Sequence, residues 1–433
     1  MTQQRPILVI GAGISGLALA HGLQKHNIPF KLFERDLSHA YRAQGYRLRI
    51  AAEGLTALEY LLDQATWDNF LLTCADMRWR PITVVDALKG ESDNGSNTNA
   101  PPPREGERPP TTVDRTVLRE VLLRGLGDEN VEYGKALERY EESENGVKAF
   151  FQDGTSAEGA LIVGADGAHS HVRRQFLPQL EIVDTAGRCI YGKTVLTDEV
   201  IKKLSEDIMG GMSAVKDNSQ KDILSMVVEP TTFPRRKEME EKGFTCPPDY
   251  LYWVMVSKPR TMGYTLEDDF AHFDAQKAEQ LALKVTEKWH PSTRAIVEHQ
   301  QSGETSTLPI RSVKPDFAAW EPNSHITVLG DAVHLMGPTA GSGAITALRD
   351  AWNLCKTLVD EGLSKKSIGA YEAKMREYAS QTVELSWLGG KHIFGMRRWD
   401  EEEEQNGNVW KQKAPLAFSL VAGYWCNFSN CTI

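Results

Sequence analysis

The chain has 433 residues, a formal net charge of −10 and 41% hydrophobic residues, with no long Lys/Arg cluster. A length of this order divides into two or three lobes, and an acidic balance without a basic patch excludes nucleic acid as an expected partner. The six cysteines include no C-x-x-C pair, which implies neither a disulfide framework nor a metal site and fits a reducing, cytoplasmic location.

No apolar stretch approaches the ~20 residues that span a bilayer, and the opening residues lack the shape of a secretory leader. No membrane partner is expected, and Ala414 to Trp425, interrupted by Pro415 and Gly423, reads as a packed terminal segment. The Asn-x-Ser/Thr triplets at Asn94, Asn427 and Asn430 would matter only in a secreted protein.

In chain order, Ile7 to Ile10 is a short β-branched run that suits a buried parallel strand. Gly11, Gly13 and Gly16 follow at G-x-G-x-x-G spacing. In a strand-turn-helix the first glycine makes the turn, the second admits a pyrophosphate to the backbone, and the third lets the helix pack on the strand. Leu17 to His26 supplies the helix, and Ile28 to Phe33 a second strand ending at Glu34 and Arg35. A carboxylate about 20 residues past the glycines suits ribose hydroxyls. The other reading is an ordinary glycine-rich turn.

Arg42, Gly45, Arg47 and Arg49 lie close behind, ahead of or within a short alternating strand. Their arginines could neutralise pyrophosphate or simply form a solvated strand face. Glu53 to Leu62 and Trp67 to Cys74 read as helices and Met77 to Ala87 as strand. Lys89 to Thr112, rich in Gly, Ser, Asn and Pro, reads as a flexible surface insertion, or a lid. A helix with Leu118, Leu122 and Leu123 on its apolar face starts at Arg115. Arginine there opposes the helix dipole unless an anion or a flavin edge faces it.

Strand-like segments at Val131, Val147 to Phe151 and Ala160 to Val163 lead into Gly164-Ala165-Asp166-Gly167. This is a second strand-turn-helix, in which Asp166 either meets a ligand or merely caps the helix. From Gly187 to about Ser312, strands follow strands around one helix, Ala275 to Trp289, which implies a second, largely antiparallel sheet. Ile326 to Leu329 then enters Gly330-Asp331, with Pro338, Gly341, Gly343 and Ala344 opening a helix to Glu361. A carboxylate at a strand end accepts two sugar hydroxyls, and the glycine turn lets backbone approach a flat ring. Ser367 to Arg398 reads as helix, and Asp400 to Glu404 as a solvated acidic face.

These three strand-turn elements resemble those of the class A flavoprotein monooxygenases, the aromatic-hydroxylase family related to para-hydroxybenzoate hydroxylase. The resemblance covers about the first 180 residues and Thr307 to about Thr357, and Arg42 to Ile50 is most similar to the fungal natural-product branch. It implies FAD as cofactor, with Gly11, Gly13, Gly16 and Glu34 at its ADP half. Asp166 and Gly167 would serve FAD and the path of NADPH or NADH. Gly330, Asp331 and Pro338 would hold the ribityl chain, with Arg115 of an Arg-x-x-Leu motif beside the flavin.

It also implies an α/β fold: a Rossmann-like FAD-binding domain (1–80, 113–185 and 310–365), a mostly antiparallel substrate domain (81–112 and 186–309), and a helical C-terminal region (366–433). The implied activity is hydroxylation or epoxidation of an aromatic or polycyclic small molecule in secondary metabolism, using NAD(P)H and O2 through a flavin C4a-hydroperoxide.

The chain departs from the family at Ile345, where Asn is usual. Ile190-Tyr191-Gly192-Lys193 stands where relatives that dearomatise phenols carry an arginine. Hence no catalytic base is assigned. Tyr191, Tyr250 and Tyr252 are candidates to hydrogen-bond substrate, or are sheet aromatics, and His334 reads as a structural turn histidine. Other readings are an oxidase, a halogenase, a reductase, or a flavin binder without turnover. Met77 to Ile82 does not match the Trp-x-Trp-x-Ile-Pro halogenase signature.

Overall fold

The computed structural model describes residues 5–38, 47–76, 80–92, 108–127, 130–396 and 399. Arg42, Gly45, the strand read at Met77 to Trp79, the centre of the proline-rich insertion, and the acidic run and tail from residue 400 lie outside the described residues.

Strands β1 (Ile7–Ile10) and β2 (Phe30–Phe33) belong to a five-stranded parallel sheet with β6 (Val131–Glu132), β10 (Leu161–Gly164) and β16 (Ile326–Val328), in the order β16-β10-β1-β2-β6. Ile7 sits opposite both Phe30 and Leu161. Every residue of β1 and β10 is buried, because helices cover the sheet, and a run apolar at every position suits that environment. Helix α1 (Ile14–Lys25) makes the return from β1 to β2.

A two-stranded ribbon, β3 (Arg47–Ile50) against β5 (Thr111–Asp114), pairs Arg47 with Asp114. Helices α2 (Ala52–Leu61) and α3 (Gln64–Thr73) lie between its strands in sequence, and α4 (Arg115–Leu126) follows it. Thr111 and Thr112 are therefore strand, inside the span read as insertion, and Thr112 is buried. Strands β7 (Leu137–Ser143), β8 (Gly146–Phe151) and β9 (Ser156–Gly159) form a small antiparallel sheet.

The second large sheet takes β4 (Thr83–Asp86), β11 (Ile182–Val195), β12 (Ser213–Asp217), β13 (Leu224–Thr231), β14 (Tyr250–Ser257) and β15 (Ser306–Val313) in the order β15-β11-β14-β13-β12-β4. All pairs are antiparallel except β12 with β4. Side chains alternate across it. Ile190, Met226, Val228, Leu251, Trp253 and Met255 face a core closed by α5 (Ala275–Val285) and α6 (Pro291–Glu298). The single helix expected from Ala275 to Trp289 thus ends at Val285, and Pro291 opens a second one at a position where its missing N–H costs nothing.

Helix α7 (Gly343–Glu361) packs on α1 and α2, and α8 (Lys365–Phe394) starts from a Ser364–Ser367 capping box. Val383 and Trp387 of α8 pack with Cys189 and Tyr191 of β11. Among the described residues no helix is long and apolar enough to cross a membrane.

Gly192 explains one feature of the Tyr-Gly-Lys run. A Cβ there would lie 2.4 Å from Cζ2 of the buried Trp253 ring, itself tied to Thr194 by an indole hydrogen bond of 3.2 Å. Gly192→Ala should therefore cost about 1–3 kcal/mol by overpacking, read as a lowered Tm; an unchanged Tm would show that the ring has room to move.

Candidate functional site

Four motif residues emerge at the carboxyl ends of neighbouring parallel strands: Asp331 after β16, Asp166 after β10, Gly11 after β1 and Glu34 after β2. Three inter-strand steps of about 4.8 Å separate them, so the row suits an elongated ligand laid across the sheet edge.

At the β1 end, Gly11 has φ +107°, and a Cβ on it would lie 2.4 Å from the Ala165 carbonyl oxygen. Gly16 would clash with the Gly11 carbonyl. At Gly13, by contrast, a Cβ would meet nothing within 4 Å. Gly11 and Gly16 thus close the turn, and Gly13, the second glycine, stands open to a ligand. No side chain caps α1 there, which leaves the positive helix end directed at that space. Glu34 is buried and accepts the Ala12 N–H at 2.8 Å and the Asp36 N–H at 3.0 Å. These bonds fix its carboxylate, and its remaining lone pairs suit hydroxyl donors.

The two carboxylate oxygens of Asp166 differ. Its Oδ2 accepts the His171 N–H at 2.7 Å, in the short helix that follows, while its buried Oδ1 has no hydrogen-bond partner among the described residues. A buried carboxylate oxygen left unmatched is costly, and a ligand hydroxyl would satisfy it. Gly167 beside it has φ +71° with nothing within 4 Å of its Cβ direction.

The Gly330–Asp331 turn is held from behind. Asp350 of α7, fully buried, accepts the Gly330 N–H at 2.7 Å, His334 Nε2–H at 2.6 Å and the Tyr378 hydroxyl at 2.6 Å. Burial acts to lower the His334 pKa, but the charge and hydrogen bond of Asp350, helped by Asp331, outweigh it and the net shift is upward. Gly330, at φ +62°, would place a Cβ 3.1 Å from Ser15 Oγ and 3.2 Å from Ala347, so the turn is pressed against α1 and α7.

Asp331 itself is exposed at the end of β16. Burial raises its pKa, opposed by the positive charges of His334 and Arg115. Arg115 therefore stands within electrostatic reach of Asp331. Pro338 begins the one-turn helix that ends at Gly341, φ +64°. Gly343 and Ala344 open α7, whose N-terminal Ser342 makes no side-chain cap. Ile345, the departure from the family, lies against Gly54 of α2 at 3.6 Å from its Cβ position.

Tyr191, Lys193, Tyr250 and Tyr252 share one face of the second sheet, opposite to Trp253. Tyr250 donates to Asp114 Oδ2 at 2.9 Å; burial and the Asp114 charge hold its pKa well above the usual value. Tyr252, half-buried, is also shifted upward by burial. Both phenols therefore stay protonated near neutral pH and act as donors rather than bases. Tyr191 is buried against α8.

Arg47 and Arg49 correct the sequence reading: they turn to Glu229 of β13, neither toward the ligand edge nor to solvent. Arg49 makes a 2.8 Å pair, Arg47 pairs with the other oxygen, and Arg47 also lies over the Tyr252 ring. Burial and the Arg49 charge push the Arg47 pKa down to about 9. Asp114, Lys193, Glu229 and Asp350 were missed from sequence; of these only Asp114 carried a local signal, as an N-cap residue before a helix.

Exposed His169 lies within electrostatic reach of Arg311, Arg35, Arg174 and Arg173. Burial first, then these charges, lower its pKa. Among the described residues no ion pair ties any of the four arginines to a carboxylate, and Arg173 and Arg174 donate to backbone carbonyls.

The row of strand-end residues, the orphaned Asp166 oxygen and the open Gly13 cradle fit FAD, and they define a dinucleotide-binding α/β flavoprotein fold. Residues 9–66 match the family model of an NAD(P)-binding Rossmann-like domain, and residues 264–386 that of an FAD binding domain. The chain is 34% identical over 92% of its length to the dual O-methyltransferase/FAD-dependent monooxygenase elcB of Phaeosphaeria nodorum, of which it covers 47%. It is 28% identical to the FAD-dependent monooxygenase thnD of Trichoderma harzianum, over 89% of this chain and 94% of that one.

A solved chain from Photorhabdus luminescens, assigned as an FAD containing monooxygenase, superposes with a TM-score of 0.74 at 28% identity, over 90% of this chain and 99% of that one. HpxO of Klebsiella pneumoniae with FAD and uric acid shares the fold, with a TM-score of 0.70 at 20% identity over 90% and 89% of the two chains. The chain is similar in sequence and in fold to FAD-dependent monooxygenases. It spans about half the length of the dual-function relatives it matches.

The Asp350–His334 bond carries a pH signature. His334 is shifted above the ordinary value of about 6.5, so the bond's contribution to stability is full below that value and is lost as pH rises through the elevated folded-state value. Thermal melts across that window should show Tm falling with pH more steeply in the wild type than in His334→Gln; equal slopes would show that folding leaves the histidine's pKa unshifted.

Proposed function

We propose that this chain is an FAD-dependent monooxygenase that uses NADPH or NADH and O2 to hydroxylate or epoxidise an aromatic or polycyclic small molecule in secondary metabolism. The observation that carries this reading is the alignment of Asp331, Asp166, Gly11 and Glu34 along one sheet edge. The monooxygenase names of the elcB and thnD proteins support it.

When bound, FAD supplies the redox chemistry, accepting a hydride from nicotinamide and passing one oxygen atom from O2 to substrate. The chain's residues do the rest. Glu34 would receive the ribose hydroxyls, the open N-terminus of α1 the pyrophosphate, and Asp166 Oδ1 and Asp331 the sugar-alcohol hydroxyls. The N-terminus of α7 and Arg115 would favour negative charge on a reduced ring. Arg35, Arg173, Arg174 and Arg311 offer a cationic landing site for the phosphates of the nicotinamide nucleotide. Tyr252, half-buried on the sheet face, would orient substrate as a hydrogen-bond donor, and the apolar Val227 and Val254 beside it would keep water out.

The test is to mix the flavin-loaded protein anaerobically with NADPH and with NADH, with and without a panel of phenols and polycyclic aromatics, and then admit air. Substrate-accelerated bleaching followed by an oxygenated product is expected; a flavin that neither nucleotide reduces would overturn the reading. Asp331→Ala should weaken FAD binding about 10- to 100-fold, the equivalent of one or two charge-assisted hydrogen bonds. Arg174→Ala combined with Arg311→Ala should raise the KM for the nucleotide with kcat nearly unchanged.

A further inference from the structure

Asp114 has two sides. Its Oδ1 caps α4 by accepting the N–H groups of Thr116 at 2.9 Å and Val117 at 3.3 Å. Its Oδ2 accepts Lys193 Nζ–H at 3.0 Å and the Tyr250 hydroxyl at 2.9 Å, both from the second sheet. Asp114 and Tyr250 are 1% exposed and Lys193 8%, so water screens these bonds little. Arg115, the next residue, stands within electrostatic reach of Asp331. On the other side, Lys193 and Glu229 lie in register on either flank of Tyr252, the half-buried tyrosine of the sheet face. One carboxylate thus joins the first turn of the helix carrying Arg115 to the strands beside Tyr252.

The neighbouring charges reinforce the join. Arg47 stands directly across the ribbon from Asp114 and reaches Glu229, as Arg49 does. The ribbon offers two cations where β13 offers an anion, and an anion where β11 offers a cation; Glu304, 4.0 Å from Lys193, is the remaining charge.

We propose that Asp114 is a positioning residue through which occupation of the flavin site orders the substrate-facing strands β11 and β14. The proposal rests on the reading of Arg115 as a flavin-facing group. Engagement of Arg115 fixes the first turn of α4. That turn fixes the Asp114 carboxylate, and the carboxylate fixes Lys193 and Tyr250, so local opening of β11 and β14 becomes rarer. Coupling of this kind travels as a change in local opening rather than as a displacement.

The test is hydrogen–deuterium exchange by mass spectrometry on the full chain, flavin-depleted and reloaded with FAD, for the wild type, Lys193→Met, Tyr250→Phe and the double variant. Tyr250→Phe keeps the ring and serves where Lys193→Met folds poorly. FAD should slow exchange in α1 and α7 in all four proteins. In the wild type it should also slow β11 and β14, by about tenfold for a coupling near 1.4 kcal/mol. Each single variant should reduce that second effect, and the double variant should abolish it.

A merely structural role would lower Tm in both states without removing the FAD-dependent difference. Equal slowing of β11 and β14 in wild type and double variant would overturn the proposal, as would no slowing there in the wild type while α1 responds. No response in α1 itself would sink the cofactor reading, and this one with it.

Discussion

The buried carboxylate of Asp350 is the constraint on which the ligand-facing edge depends. Three donors converge on it, from the Gly330 backbone, His334 and Tyr378. A carboxylate this deep is tolerable only when its lone pairs are matched. Matching them holds together a strand end, the turn after it, α7 and α8. Asp331 takes its place at the strand end because the turn under it cannot move without breaking that set. Asp114 does comparable work elsewhere, where its two oxygens join α4 to the second sheet.

The elements that position the ligand edge were legible in the sequence because their signals are local. A four-residue apolar strand, a glycine turn and an amphipathic helix are recognisable from spacing alone, and the parallel pairing of β1, β2, β10 and β16 follows from their alternation with helices. The partners of charged side chains were not legible. Arg47 and Arg49 looked like surface or phosphate-binding arginines until the fold brought β13 beneath them, 180 residues away in the Arg49–Glu229 pair. Lys193 met Asp114 across 79 residues. No periodicity encodes such pairs, since they arise only when two separately patterned sheets face one another.

The tyrosines show the same division. Alternation in the second sheet sufficed to read Tyr191, Tyr250 and Tyr252 as sheet aromatics; that they share a face follows only from the register of β11 against β14. It could not say that Tyr250 would spend its hydroxyl on Asp114, that Tyr191 would pack on α8, and that Tyr252 alone of the three would keep partial exposure. Burial then decides their chemistry: phenols pushed upward in pKa donate hydrogen bonds and do not abstract protons. Gly192 is similar, since its identity answers to the Trp253 ring on the opposite face of the strand.

The interleaving of the two large sheets has a consequence for synthesis. β16, the strand that precedes Asp331, begins at Ile326, after every strand of the second sheet in chain order. The parallel sheet can nucleate early around β1 and β2, but its outermost strand must find β10 across the whole intervening lobe, a closure of high contact order that is intrinsically slow. A ligand laid across these strand ends therefore meets the complete edge only once Asp331 has been made and β16 has joined β10.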